Sequence, residues 1–262
     1  MSSGNASTAT DLQAAYYNEY AAIQREHWWY LARAEILEAI LARHLHPDRQ
    51  RLILDIGCGP GGMRPILSQF GRLVSTDFTF EALRFCAAQK LDYLVAADGM
   101  RLPFRDDHFD AAVAFDVIEH LSDDGLGVRE LFRVLKPQGR LFVTVPAFQF
   151  LWGRQDLVSH HFRRYNAAGL ASVLRAADFD IEQISYFNAF LFPAIAAIRL
   201  TCRLLGLNRV RAGQEMKSDF SVPYHGWRNE LPRKIFAAEK PLLLRGSLPF
   251  GVSLVCVARK PQ

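Results

Sequence analysis

An acid, a glycine-rich turn and two further acids at set distances form the most chemically informative part of this sequence. Asp55-Ile56-Gly57-Cys58-Gly59-Pro60-Gly61-Gly62 closes a short apolar run that begins at Arg51. Glycines let a backbone turn sharply and approach a ligand closely, and a helix that follows offers free N–H groups. Gly57, Gly59 and Gly62 satisfy G-x-G-x-x-G, and Asp77 lies 20 residues beyond Gly57, the spacing of a dinucleotide fold. No Gly-Lys-Ser/Thr follows, which excludes a nucleoside-triphosphate P-loop. Asp55 stands two residues before the first glycine. A pyrophosphate would be repelled there, whereas a cationic ligand would be attracted. Asp98, in Ala97-Asp98-Gly99, ends a third apolar run. Ligands of open α/β sheets sit at the carboxyl ends of the strands, so three carboxylates are expected to converge on one edge. Such a set suits a ligand with an amine, a ribose and an adenine amino group. It does not suit two phosphates.

Positioning these acids requires strands, and the sequence supplies them in alternation with helices. Apolar, strand-like runs occur at 51–56, 72–77, 93–97, 109–115 and 140–145, and again at 179–186 and 252–257. Helical spacing runs from Ala14 to His46, with Trp29, Ile36, Leu37, Ile40 and Leu41 on one stripe. Shorter helices are predicted at 63–70, 80–89, 119–135 and 167–177. Lys136-Pro137-Gln138-Gly139 is predicted to turn the chain into the fifth strand. The alternation argues for an α/β fold with a parallel sheet.

Five segments match, in order and spacing, the class I S-adenosylmethionine-dependent methyltransferases, and in particular the type 11 branch. They are Asp55 to Gly62, Ser75-Thr76-Asp77, Ala97-Asp98-Gly99, Phe115-Asp116-Val117-Ile118-Glu119-His120 and Leu135 to Leu141. The resemblance covers Trp28 to Tyr186 and extends to the last strand. It implies a Rossmann-like, doubly wound sheet of seven strands, mostly parallel with an antiparallel last strand, and helices on both faces. It also implies S-adenosyl-L-methionine as cofactor and S-adenosyl-L-homocysteine as product. Carried over by residue, Asp77 takes both ribose hydroxyls, since a carboxylate can accept bidentately. Asp98 accepts from the adenine amino group, with Gly99 and Met100 lining the base and Phe78 against its ring. Gly57 and Gly59 lie along the methionine part, Asp55 orients the loop or the amine, and Phe115 lies beside them. Relatives carry an aromatic segment like His27-Trp28-Trp29 followed by an arginine, which assigns Arg33 to the cofactor carboxylate. An aromatic face such as that of Trp29 attracts a sulfonium cation.

The acceptor side is expected after the fifth strand, in Asp156 to Asn166. Methyl transfer is an in-line displacement, so the main task is to hold nucleophile and methyl at near-attack distance. A hydroxyl acceptor must also lose its proton, a task suited to histidine. His160 and His161 are the candidate catalytic residues, and the sequence does not separate them. Arg163 and Arg164 either hold an anionic substrate or pair with Asp156 or Glu119. Tyr165 and, from the other wall, His120 complete the acceptor side. No metal site is expected, because the adjacent His160 and His161 lack metal-ligand spacing.

Composition sets the wider frame. Of 262 residues 50% are hydrophobic and 22% charged, with a net charge of +4, which describes a globular chain and excludes a disordered one. Four dispersed cysteines form no C-x-x-C, which argues against a disulfide framework or zinc knuckle and for a reducing compartment. Met1 to Asp11 lacks a signal-peptide pattern, so a cytoplasmic location is expected. Residues 1–26 read as a flexible tail and the start of a helix. Residues 27–262 read as a single domain with a helical insertion at 187–250. From Arg199 to Lys240 nine Lys and Arg stand against four Asp and Glu, beside the apolar stretch 187–205. That stretch is too short between charges to span a bilayer. It reads as a lid over the acceptor, or as peripheral membrane contact through 187–244. Nucleic-acid modules are absent, and the acceptor is expected to be a small molecule or lipid-linked. Two alternatives share the glycine turn: an NAD-dependent oxidoreductase, and a non-catalytic binding or scaffold protein on the same fold.

Overall fold

The structure is a computed structural model that describes residues 16–91, 93–206 and 225–262. Its frame is a seven-stranded sheet: β1 (Leu52–Ile56), β2 (Arg72–Asp77), β3 (Leu94–Ala96), β4 (Phe109–Phe115), β5 (Leu135–Pro146), β6 (Asp180–Phe187) and β7 (Ser253–Arg259). The order is β3-β2-β1-β4-β5-β7-β6, and only β7 runs antiparallel to its neighbours. This is the doubly wound sheet that the sequence predicts. The central strands are apolar throughout because both faces are covered, so Ile53, Leu54 and Ala111 to Ala114 are fully buried.

A helix at 16–26 (α1) precedes α2 (Trp28–His44), followed by α3 (Arg64–Leu67), α4 (Phe80–Ala88), α5 (Asp124–Val134), α6 (Arg154–Val158), α7 (Ala167–Arg175), α8 (Phe192–Leu204), α9 (Trp227–Ala237) and α10 (Lys240–Arg245). On one face of the sheet, Val128 and Leu131 of α5 and Leu170 and Leu174 of α7 form the core. On the other, Ile36, Leu37, Ile40 and Leu41 of α2 pack with Phe236 of α9 and Leu243 of α10. The insertion therefore contributes to the core: α9 and α10 lie on α2, and α8 borders the cleft described below. The polar stretch within it, 207–224, lies outside the described residues, as do residues 1–15.

Three local features depart from the sequence reading. The helix expected from Ala14 to His46 is broken at His27, whose Nδ1 accepts from Trp29 N at 3.2 Å and caps α2. The helix expected from Glu119 starts at Asp124, because Asp123 caps it by accepting from Leu126 N at 2.8 Å. Glu119 and His120 sit instead on a single 3-10 turn, Ile118–His120. The predicted turn at 136–139 belongs to β5, which pairs through Leu135 with Phe109 across an irregularity in register.

Gly57 follows β1 at φ +66°, and an added Cβ would meet Val117 Cγ2 at 2.6 Å. Gly57→Ala is expected to cost about 2 kcal/mol in urea unfolding, from left-handed strain and the clash together. Val117→Ala in the same chain should return the steric part and leave the backbone part.

Candidate active site

The carboxyl ends of β1, β2 and β4 open into a cleft of about 1720 Å³. That exceeds the roughly 300–1,000 Å³ typical of a single small-molecule pocket, leaving room for two ligands side by side. Its cofactor half is built on the glycine turn. Gly57, Gly59 and Gly61 all have positive φ, which carries the backbone from β1 toward α3. Asp77, at the end of β2, locks this turn: Oδ2 accepts from Gly59 N at 2.9 Å and Oδ1 from Thr79 N at 2.8 Å. Each oxygen keeps a lone pair for a further donor.

Asp55 is 5% exposed, and its hydrogen bond from Ser75 Oγ is long, at 3.5 Å. Burial first, and then the Asp77 carboxylate, push its pKa up to about 7. Asp98 closes its own turn, with Oδ1 accepting from Met100 N at 2.9 Å. Phe78 leaves its ring 79% exposed at the mouth, and Gly99 and Met100 line the same wall. All of these cofactor-side residues border one cleft.

Arg33, buried on α2, spans the cleft's inner wall. Its Nη2 donates to Thr144 Oγ1 and pairs with Asp116 Oδ2, both at 2.7 Å. Its guanidinium lies 5.2 Å from the ring of Trp29 and 5.5 Å from that of Phe115. The arginine is thus committed to β4 and β5 while it borders the cavity.

Sequence reasoning missed the roof. Tyr20 of α1 stands over Gly59, and Gln24 over Gly62, so residues 16–26 cover the glycine turn. Their aromatic spacing resembles any amphipathic helix, and no chemical signature marks it.

On the acceptor half the fold brings together residues 41 positions apart. His120 and His161 meet edge to face, ring centroids 4.7 Å apart. His161 Nδ1 lies 2.8 Å from Asp156 Oδ1. Asp156 is fully buried and also accepts from Arg164 Nε and Gly153 N, both at 2.7 Å. Burial alone would raise its pKa, but His161 and Arg164 outweigh it and hold it down to about 2. An anionic Asp156 requires the proton on His161 Nδ1, so Nε2 is left unprotonated in the neutral ring. Burial, then His161, push the His120 imidazole down to about 4. Glu119 is fully buried, and burial followed by Asp116 raises its pKa well above the carboxylate range.

His160 borders the cleft at its exposed rim with φ +54°. Arg164 is held by Asp156, as one of the sequence alternatives has it. Arg163 and Tyr165 lie off the cleft lining. Arg163 donates to Ser122 O and pairs with Asp124 Oδ1, and the Tyr165 hydroxyl donates to Asp124 Oδ2 at 2.6 Å. Both therefore correct the expectation that they face the acceptor: Asp124, at the start of α5, draws them into the scaffold. Within the basic stretch, Arg199 pairs with Asp156, and Arg233 with Glu35 and Glu230. No helix among the described residues is long and apolar enough to cross a membrane.

Comparison with known proteins adds four findings. Residues 54–143 match the family model described as a methyltransferase domain. A demethylmenaquinone methyltransferase of Corynebacterium kroppenstedtii is 34% identical over 55% of this chain and 61% of its own. A tRNA (carboxymethyluridine(34)-5-O)-methyltransferase of Arabidopsis thaliana is 36% identical over 36% of this chain and 24% of its own. The chain spans about three fifths of the length of the curated relatives it matches over its core. Among solved structures, a chain from the complex of the Haloferax volcanii Trm112 methyltransferase activator with a methyltransferase superposes with a TM-score of 0.59. The identity is 19% and each chain is 96% covered, a likeness of fold alone. Residues 54–143, the stretch that the methyltransferase-domain model matches, carry Asp55, Asp77 and Phe115 on β1, β2 and β4, and over this stretch the chain is similar to S-adenosylmethionine-dependent methyltransferases.

Proposed function

We propose that the chain transfers a methyl group from S-adenosylmethionine to a small-molecule or lipid-linked acceptor and releases S-adenosylhomocysteine. The observation that carries this reading is Asp55: a buried carboxylate with a second carboxylate beside it and, among the described residues, only a long hydrogen bond from Ser75. Such a group is costly unless a cation arrives, and the amine of the methionine part is one. A pyrophosphate would raise the cost, which argues against a nicotinamide dinucleotide. Asp77 then receives the ribose hydroxyls on the lone pairs that Gly59 and Thr79 leave open. Asp98, Gly99 and Met100 hold the adenine, and the exposed Phe78 ring covers it.

The cofactor supplies a methyl already activated by its sulfonium, so the chain's work is placement and exclusion of water. Arg33, between Trp29 and Phe115, fixes the wall behind the methionine part. His161, oriented by Asp156, presents Nε2 to the acceptor space opposite His120. His160 stands further out at the rim. Two arginines that line this half of the cleft, Arg164 and Arg199, are engaged by Asp156. Ile195 and Ile198 of α8 border the same space and favour an apolar body, as in a quinone-like or lipid-linked molecule.

Calorimetric titration with S-adenosylmethionine and S-adenosylhomocysteine tests the cofactor half. Absence of binding by either, with the chain folded, would end this reading. Labelled methyl offered with a native metabolite extract, split into aqueous and lipid fractions, then tests the acceptor half. Binding without transfer into any fraction would instead favour the non-catalytic alternative.

A further inference from the structure

We propose that Glu119, His120 and His161 form a binding site for one divalent first-row transition-metal ion, set in the acceptor wall of the cleft. The ligand atoms of the three side chains lie within 4.8 Å of one another. Adjacent donors on one such ion are about 3–3.5 Å apart, a distance that small side-chain rotations reach. Glu119 supplies the independent observation. Its carboxylate is fully buried, borders the cleft, and neither oxygen has a hydrogen-bond partner in another described residue. A buried carboxylate left bare in this way is an exception that needs a partner. The nearest cations, Arg33 and Arg164, are bonded instead to Asp116 and Asp156.

The surroundings of the histidines have the form that metal sites use. A ligating imidazole hands its other ring N–H to a carboxylate or a carbonyl, which fixes tautomer and orientation. His161 does so through Nδ1 to Asp156, and His120 is hydrogen-bonded to the Ser159 backbone. Two imidazoles and one carboxylate suit Mn²⁺, Fe²⁺, Co²⁺ or Zn²⁺ better than Mg²⁺ or Ca²⁺, which prefer all-oxygen sets. Three protein ligands leave positions open on the cleft side. An acceptor oxygen bound there would be acidified and oriented toward the cofactor half. That consequence rests on the methyltransferase reading, whereas the ion site does not.

The test uses the full chain after removal of metals with a chelator. Co²⁺ titration is followed by its visible d–d absorption, and Mn²⁺ binding is counted by electron paramagnetic resonance. The expected result is one ion per chain, with affinity reduced at least about 100-fold in His120→Ala, His161→Ala and Glu119→Gln. His160→Ala should leave the Co²⁺ spectrum unchanged. His120 borders the cleft and belongs to neither half of the apolar core, so its variant reports even where Glu119→Gln or His161→Ala lowers stability. No stoichiometric Co²⁺ binding, or binding that survives loss of both His120 and His161, overturns the proposal. Calorimetry with S-adenosylhomocysteine in chelator keeps the two readings apart: cofactor binding without Co²⁺ binding sinks only the metal site, and the reverse sinks only the cofactor site.

Discussion

Asp77→Ala is expected to weaken S-adenosylhomocysteine binding by about 100-fold or more in calorimetry, while the chain stays folded. Two hydrogen bonds from ribose hydroxyls to a carboxylate contribute roughly 1.5–3 kcal/mol each. Losing both, about 3 kcal/mol at the low end, already exceeds two decades in Kd. The same side chain ties Gly59 N and Thr79 N together, so its loss also loosens the glycine turn before any ligand arrives. Stability should nevertheless change little. The two lost hydrogen bonds to backbone N–H groups destabilise the turn, but the Asp77 charge also presses on buried Asp55, and removing it relieves that repulsion. Asp77→Asn keeps one carbonyl acceptor and should fall between alanine and wild type. Wild-type affinity in the alanine variant would mean that the ligand does not use this edge of β2. Selective binding of a nicotinamide dinucleotide by the wild type would point to the oxidoreductase alternative.

Legibility in the sequence follows how local the determinants are. The strands and the three acids were readable because glycine turns and strand ends lie within a few residues of one another. Asp55, Asp77 and Asp98 do meet at one edge, since parallel pairing of β1 with β2 and β2 with β3 aligns their carboxyl ends. The acceptor wall was only half readable. His161 stood out as a residue type, but its orientation depends on Asp156, which is buried where α6 packs against Arg164 and Arg199. Arg163 and Tyr165 carry the chemistry of ligand contacts and spend it on Asp124, a choice fixed by where α5 begins. Glu119 was hidden for the same reason. As part of a helix it would face its neighbours, whereas the cap at Asp123 leaves it on a tight turn aimed into the cleft. Short polar caps decided these outcomes, and their effect on burial is tertiary.

Asp55→Asn is expected to stabilise the ligand-free chain above neutral pH and to weaken cofactor binding. Asp55 is raised from an ordinary carboxylate value to about 7 by burial and by Asp77, opposed only weakly by Ser75 and Arg64. Between about pH 4 and pH 7 the folded chain therefore holds a proton here that the unfolded chain has released. Unfolding releases that proton, so the contribution of Asp55 to stability falls as pH rises through this window and is flat above it. Three pKa units correspond to about 4 kcal/mol at most, and relaxation around the charge lowers the realised value to roughly 2–4 kcal/mol. Urea unfolding at about pH 8 should place the asparagine variant above wild type by that amount, and at about pH 4 the two should coincide. A gap that is constant with pH would show that Asp55 is not the titrating group. Binding should move the other way. A cationic amine beside Asp55 favours its ionised form, so wild-type binding below about pH 7 should release a proton, giving an observed enthalpy that varies with buffer ionisation heat. Asparagine removes both the charge attraction and that proton, with about 10–100-fold weaker S-adenosylhomocysteine binding at about pH 8. An aspartate that costs the ligand-free fold, placed beside a glycine turn, is stability given up for ligand recognition, the trade expected of a binding site.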